Sequence, residues 1–530
     1  MQSKMSKTTN NGVCPPSGIK IFSLVFSILF LVQILPASSQ NNVGNLSIII
    51  FENKVALPCN VQLKDDKGIY WYPDSLYKWK DFNGKVFEGF PCDGKFEIAL
   101  PYGKYYYEVN RGPAYKELKG FLYIDKKEIK EEWQLEKLID LKQRNFYAGE
   151  THIHRKISDL QLLMRASDLN VGEVVTSWND QYPADKVKFY TGPVKFDHNR
   201  YYNPTASEDE RGGGALLFLN LSAPLNFLNR QMEYPPLTKS IYEVLKKNKE
   251  AWVDLEKPFW RDMPILLATN RINSIGIANN HMLKNGIFDT EGWGKKRDMV
   301  KYPSPLGNAY WTQDIYYQIL NAGFRIPPSA GSASGVLLNP VGYNRLYAYV
   351  DGAFSYKKYW EAVRQGKCFV SNGPLLLASA NKQMPGYVFK VSGNGKLNIT
   401  IESEIYSRDS ITSIEIVKNG KIYAVIGESD IKKNKFTSQI NFDRSGWFLL
   451  RAISISGNNF RFSSTAPFYV EDQISKKYVS ASSCVFFLNW IDERQASIKK
   501  DDEEHLEEIT HYIIKARKFW NILLSKANAE

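Results

Sequence analysis

The sequence predicts a multidomain protein, α/β plus β. A parallel α/β unit, for which a barrel is one available form, is flanked by two β-sandwich domains and followed by C-terminal helices. Three observations predict this. The chain has 530 residues, room for roughly three domains of about 150 residues. Short runs alternating apolar and polar residues, split by turn signals, occupy both ends of the folded region. Between them, apolar strand-like runs alternate with helix-like stretches, the pattern of a parallel sheet.

Composition excludes several classes. Hydrophobic residues make up 43% and charged residues 23%, which fits a globular protein and excludes a disordered or collagen-like one. Six His and five Cys exclude a zinc-finger array and a cysteine framework.

The first segment, residues 1–39, reads as a secretory signal peptide. Lys4, Lys7 and Lys20 precede a continuous apolar run, Ile21 to Leu35, then Pro36 and the small residues Ala37, Ser38 and Ser39. The run is short for a membrane span of about 20 residues. The expectation is a secreted or periplasmic protein with no stable membrane anchor after cleavage. The formal charge of +12 falls to +9 with the three lysines removed. No Lys/Arg run stands out, so no nucleic-acid partner is expected. A diffusely basic surface suits a small-molecule or glycan substrate, anionic groups included, against the plainer reading of a solvated face.

Residues 44–127 carry the first sandwich pattern, as in Lys95–Pro101 (KFEIALP), with turn signals at Asn83-Gly84 and Asp93-Gly94. Cys59 and Cys92 fall in this unit and could pair in an oxidising compartment. A charged stretch, 125–144, leads on. Residues 145–376 carry the α/β alternation: VGEVVTS, GALLFLNL, AWVDLE and SIGIANN as strands, SDLQLLMRASDL and TKSIYEVLKKNK as helices. Residues 380–472 return to strand alternation, with Asn419-Gly420 as a hairpin turn. Residues 480–527 read as two helices, the second with acids in its first turn and bases later, as the helix dipole prefers.

The sharpest chemical feature is Gly149-Glu150-Thr151-His152-Ile153-His154-Arg155. On a strand, alternate residues share a face, so Glu150, His152 and His154 are expected to point together. Two imidazoles so spaced can grip one metal ion, with a carboxylate as ligand or orienter. Their plain alternative is a pair of histidines facing a polar loop. Glu208-Asp209-Glu210 offers a carboxylate that could complete such a site, against an ordinary acidic turn. Asp254 and Glu256 share a strand face beside Lys257 and suit metal ligation or acid/base work, against a structural ion network. His281, at the end of an apolar run, is a candidate third imidazole, against a histidine bonded to a backbone carbonyl. The loop Gly331-Ser332-Ala333-Ser334-Gly335 is not a serine nucleophile elbow, because its centre is Ala333.

These residues resemble a known family. GETHIHR, then DLQLLMRASDLNVGEVVTSWND, EDERGGGALLFLNL, WVDLEKPFW, SIGIANNHM and SAGSASGVLLNPVGYNR are similar to the CehA/McbA-type branch of the PHP (polymerase and histidinol phosphatase) metallohydrolases, over about residues 145–376. The resemblance implies a PHP-like distorted (β/α)7 barrel with metal at the C-terminal ends of its strands. It implies a metal-activated water attacking an ester, carbamate or phosphoester-type bond. His152 and His154 match the first metal motif, and Glu208 stands where the family often has its bridging carboxylate.

Other positions depart from the family pattern. Thr176-Ser177-Trp178 replaces T-D-H, Lys257-Pro258 replaces H-P, and Gly331-Ser332-Ala333-Ser334-Gly335 replaces G-S-D-x-H. The expectation is therefore one divalent ion (Zn, Mn or Fe) on His152, His154 and Glu208, helped by His281. Asp254 and Glu256 would act as acid or base, and Lys257 as a point charge for an anionic group. The first functional reading is an exported metal-dependent hydrolase with a reduced site. The second is a barrel without catalysis that binds a glycan or envelope partner. The third is a two-carboxylate glycosidase using Asp254 and Glu208, which would not depend on metal.

Overall fold

Strand identity follows the apolar periodicity closely. Lys95–Pro101 alternates exposed and buried residues along its length. By contrast, Phe146–Ile153 and Gly214–Leu219 are buried throughout, as in strands covered on both faces. The fold is described from a computed structural model, for residues 42–74, 84–181, 191–391, 395–498 and 504–530. The signal-like segment, residues 1–39, and Asn83 of the first turn signal lie outside them. Among the described residues, no helix is long and apolar enough to cross a membrane.

The protein is rich in β-structure, with several sheets and fewer helices. At the N-terminal side, strand Val43–Glu52 pairs with Val55–Ala56, Lys95–Pro101 and Glu128–Gln134. A second sheet orders Phe90–Cys92, Cys59–Asp65, Gly103–Asn110 and Leu118–Ile124. Leu46, Ile48 and Ile50 from the first sheet share a core with Val61, Leu63 and Val109 from the second. Cys59 and Cys92 are register partners. They stand as two buried thiols with Sγ atoms 3.8 Å apart.

Seven strands carry the site. They are β1 (Phe146–Ile153), β2 (Val171–Trp178), β3 (Arg200–Arg211), β4 (Gly214–Leu219), β5 (Trp252–Leu255), β6 (Ser274–Ala278) and β7 (Pro328–Ala330). They lie side by side in that order. The β3–β4 and β4–β5 pairs are antiparallel and the other adjacent pairs parallel. The two ends of the order meet. Just past β7, Ser334 bridges Ile153 of β1, and Thr151 Oγ1 donates to Ala330 O at 3.0 Å. Helices Leu160–Ala166, Leu237–Lys247, Met263–Leu267 and Gly307–Asn321 fall between strands. Leu237–Lys247 turns Leu237, Ile241 and Val244 inward, the apolar stripe of an amphipathic helix.

The sequence predicts a second sandwich over residues 380–472, and one sheet of that region is continuous with the seven strands: Arg345–Tyr349 pairs with β1 and with Cys368–Ser371, which pairs with Asn459–Thr465. One sheet therefore runs unbroken from the seven strands into the C-terminal β-region. There it faces a three-stranded sheet of Leu375–Ala380, Leu397–Tyr406 and Lys435–Phe442 across a shared core. Residues Val43–Glu530 form one compact unit. The C-terminal helices Ala481–Ser497 and Leu506–Leu524 pack on Met263–Leu267. Trp490 Nε1 donates to Arg261 O at 3.1 Å and Trp520 Nε1 to Pro264 O at 2.9 Å. Arg494 joins Asp262 and Glu233, each at 2.5 Å.

Candidate metal centre

His152 and His154 sit at the end of β1, both buried. Their Nε2 atoms are 2.8 Å apart. Glu208, on β3, brings Oε2 to 3.3 Å from His152 Nε2 and 3.2 Å from His154 Nε2. These three are a group that could hold a metal ion. Two nitrogens and a carboxylate oxygen are borderline donors suited to a zinc-like ion. Three donors about 2.1 Å from one ion at tetrahedral angles stand about 3.4 Å apart; the two nitrogen–oxygen separations are close to that, and the two nitrogens, at 2.8 Å, stand nearer. The donor set fits such an ion.

The other ring nitrogen of His152 lies close to a carboxylate without a formed hydrogen bond. Its Nδ1 faces Glu256 Oε1 at 3.4 Å. Glu256 in turn accepts from Lys257 Nζ at 2.5 Å and from Trp260 Nε1 at 3.2 Å. This is the place of a carboxylate that orients a ligating imidazole. Alternation along β3 puts Glu210 on the same side as Glu208, and oxygens of Glu208, Glu210 and Glu256 converge. Glu210 Oε2 accepts from Trp178 Nε1 at 3.1 Å. Asp209, between them, points away to Arg211 (2.6 Å) and Ser240 (2.7 Å).

The electrostatics follow from burial. Burial alone would lower His152, but the Glu208 and Glu256 carboxylates outweigh it and hold the imidazole above its ordinary value. Burial lowers His154. Burial would raise Glu208 and Glu256, yet His152 holds the first down and Lys257 with His152 the second. Glu210 is pushed up to about 8 by burial and by the neighbouring Glu208 and Glu256.

Several expected site residues lie elsewhere. Glu150 does not join the histidines. It accepts from Ser332 N at 2.7 Å and Gly342 N at 2.5 Å, and burial raises it to about 7. The reason is a register shift against β2, where Glu150 pairs with Gly172 but Ile153 with Val174. One extra residue on β1 there breaks the alternation. Asp254 is buried on β5 and accepts hydroxyls from Ser274 and from Ser329, apart from the histidines. Burial lifts it to about 6. His281 is not brought into the ligand group. Its ring lies 5.2 Å from that of Phe259 and 5.0 Å from that of Phe288, and burial drops it to about 3. Lys257 lies on Glu256 and 4.6 Å over the Trp260 ring.

Three hydroxyls at the divergent motif positions are bound to backbone. Thr176 Oγ1 donates to Pro204 O at 2.8 Å and Ser177 Oγ to Leu225 O at 2.5 Å. Ser332 Oγ accepts from Asn344 N, and Ala333 takes a left-handed φ of 47°. Trp178, not singled out as a site residue, places its ring 5.1 Å from that of His154. Its signal was register, since it is the partner of Glu208 across β2 and β3.

No family model matches the chain, and no curated protein matches it. Among solved structures, the CARDB domain of a Pyrococcus furiosus protein, in complex with di-metal ions, is 17% identical. That alignment covers 19% of this chain and 89% of the other, with a TM-score of 0.12. The N-terminal four Ig domains of Dscam1 isoform 8.4 are 8% identical over 81% of this chain and 72% of the other, with a TM-score of 0.14. Scores this low bear on neither the fold nor the site.

Proposed function

We propose that the chain is an exported metal-dependent hydrolase, with a PHP-like seven-stranded barrel formed by β1–β7 and a reduced, mononuclear site. The observation that carries this reading is the convergence of His152 Nε2, His154 Nε2 and Glu208 Oε2 within 3.3 Å of one another in a buried setting. The meeting of the two ends of the seven-strand order supports the barrel. An ion bound there supplies Lewis-acid activation of water toward an ester, carbamate or phosphoester bond.

The protein's own groups divide the remaining work. Glu256 orients His152 through Nδ1, so that Nε2 faces the other donors. Lys257 adds a fixed positive charge beside the carboxylates Glu208, Glu210 and Glu256, where a second ion would otherwise balance them. Glu210, whose carboxyl is pushed up by burial and by the neighbouring Glu208 and Glu256, is placed to hold or pass a proton. Trp178 and Trp260 shield the site from water.

Thr176 and Ser177, committed to backbone carbonyls, offer no further ligand. That favours a second reading, a barrel that binds a glycan or envelope partner without turnover. The test is hydrolysis of aryl ester, carbamate and phosphoester substrates by the metal-loaded mature chain. Turnover lost in Glu208→Ala supports the hydrolase. A fully loaded chain inert on all three classes contradicts it and favours binding.

A further inference from the structure

A second cleft lies between the N-terminal sandwich and the loops after β1 and β7, with a volume of about 120 Å³. None of His152, His154, Glu208 and Glu256 lines it. Its lining includes the guanidiniums of Arg345, Arg408 and Arg461 and the apolar side chains of Phe87, Leu163 and Val341. The carboxylates Glu88, Glu108 and Glu117 line it as well. Arg345 is buried. Its Nη2 donates to Ser167 O at 2.6 Å and its Nε to Gly342 O. Among the described residues it pairs with no carboxylate. Gly112 makes room for it, since a Cβ there would lie 2.4 Å from Arg345 Nη2 at a φ of +95°.

Arg408 faces Glu117 at 3.5 Å, but its buried Nη1 makes no hydrogen bond. Arg461 pairs with Asp409 at 2.6 Å, and its buried Nε makes none. Burial pulls Arg408 below its ordinary value, and Arg461 and Arg345 add to the effect despite Glu117. Three guanidiniums therefore draw on two carboxylate partners, Glu117 and Asp409, and two of their buried nitrogens are left without a hydrogen bond. Such an arrangement is costly unless an anion completes it. A planar carboxylate matches the guanidinium fork. The cleft is partly open, so its 120 Å³ bounds only the enclosed part of a ligand, which must be compact: an apolar cavity of about 150 Å³ in another protein takes benzene.

We propose that this cleft binds a small monocarboxylate with a compact apolar body, its carboxylate held by Arg345, Arg408 and Arg461 and its body against Phe87, Leu163 and Val341. The test is calorimetric titration of the full mature chain with benzoate, and with benzamide as the neutral counterpart. Benzoate should bind saturably at one site, and benzamide at least about tenfold more weakly. Arg408→Gln should weaken benzoate by at least about tenfold, and Arg408→Lys, which keeps the charge, by less. Benzoate binding should persist in the His152→Ala/His154→Ala variant, which separates this cleft from the metal centre. Equal affinity for the two probes, no saturable benzoate heat, full affinity in folded Arg408→Gln, or loss of binding in the histidine variant would each overturn the proposal. Should Arg408→Gln not fold, the comparison of benzoate with benzamide on the unaltered chain decides alone.

Discussion

His152 on β1 and Glu256 just past β5, with three strands between them in the sheet order, face one another, Nδ1 to Oε1 at 3.4 Å, on the side of the imidazole away from His154 and Glu208. A carboxylate there fixes the ring and raises its basicity as a ligand. Glu256→Gln should therefore keep the fold and lower metal affinity by about 10–100-fold. Competitive titration against a chelating dye measures it. Unchanged affinity would remove Glu256 from the site.

Lys257 and Glu256 are both buried and in direct contact. Removing one partner of a buried pair leaves an uncompensated charge, at about 3–5 kcal/mol. Lys257→Met should lose that much in urea denaturation. Adding Glu256→Gln should recover most of it, because the stranded charge is then gone. Equal losses in the single and double variants would contradict the pairing.

Glu173 is buried on β2, where Tyr356 OH donates to it at 2.5 Å and Trp360 Nε1 at 3.3 Å. Burial raises it from 4.5 to about 8 against those bonds. The folded state thus keeps a proton that the unfolded chain gives up. Stability contributed by this group is full below about pH 4.5 and is lost as pH rises toward 8, by at most about 1.4 kcal/mol per pH unit. Glu173→Gln should flatten that part of the pH–stability curve, measured by denaturation at stepped pH. An identical slope in the variant would contradict it.

Cys59 and Cys92 are the other testable pair. Their Sγ atoms, 3.8 Å apart on paired strands, need to close by about 2 Å to bond. In protein recovered from an oxidising compartment without residues 1–39, and so without Cys14, only Cys368 and Cys484 should label in denaturant without reductant. Cys59→Ser should then lose about 2–4 kcal/mol. Labelling of all four thiols would show the pair unbonded.

The parts of this account legible in the sequence are those set by short periods. The alternation of Lys95–Pro101 gives its buried face directly, and the spacing of His152 and His154 places both rings together. What escaped depends on partners distant in the chain. The extra residue between Glu150 and Ile153 is defined only against β2, so alternation wrongly grouped Glu150 with the histidines. Asp254 looked like a site acid until Ser274 and Ser329, from two other strands, captured it. His281 follows an apolar run, and only folding brings the Phe259 and Phe288 rings beside it. The sheet running from Cys368–Ser371 into Asn459–Thr465 pairs residues about ninety positions apart, beyond any local pattern.

The central claim is that His152, His154 and Glu208 hold one metal ion. Elemental analysis of the purified chain from residue 40 to residue 530, beside its His152→Ala/His154→Ala variant, tests it most directly. The account predicts one equivalent of zinc, manganese or iron in the unaltered chain and none in the variant. No metal in the unaltered chain after incubation with excess ions, or the same content in both proteins, would contradict it.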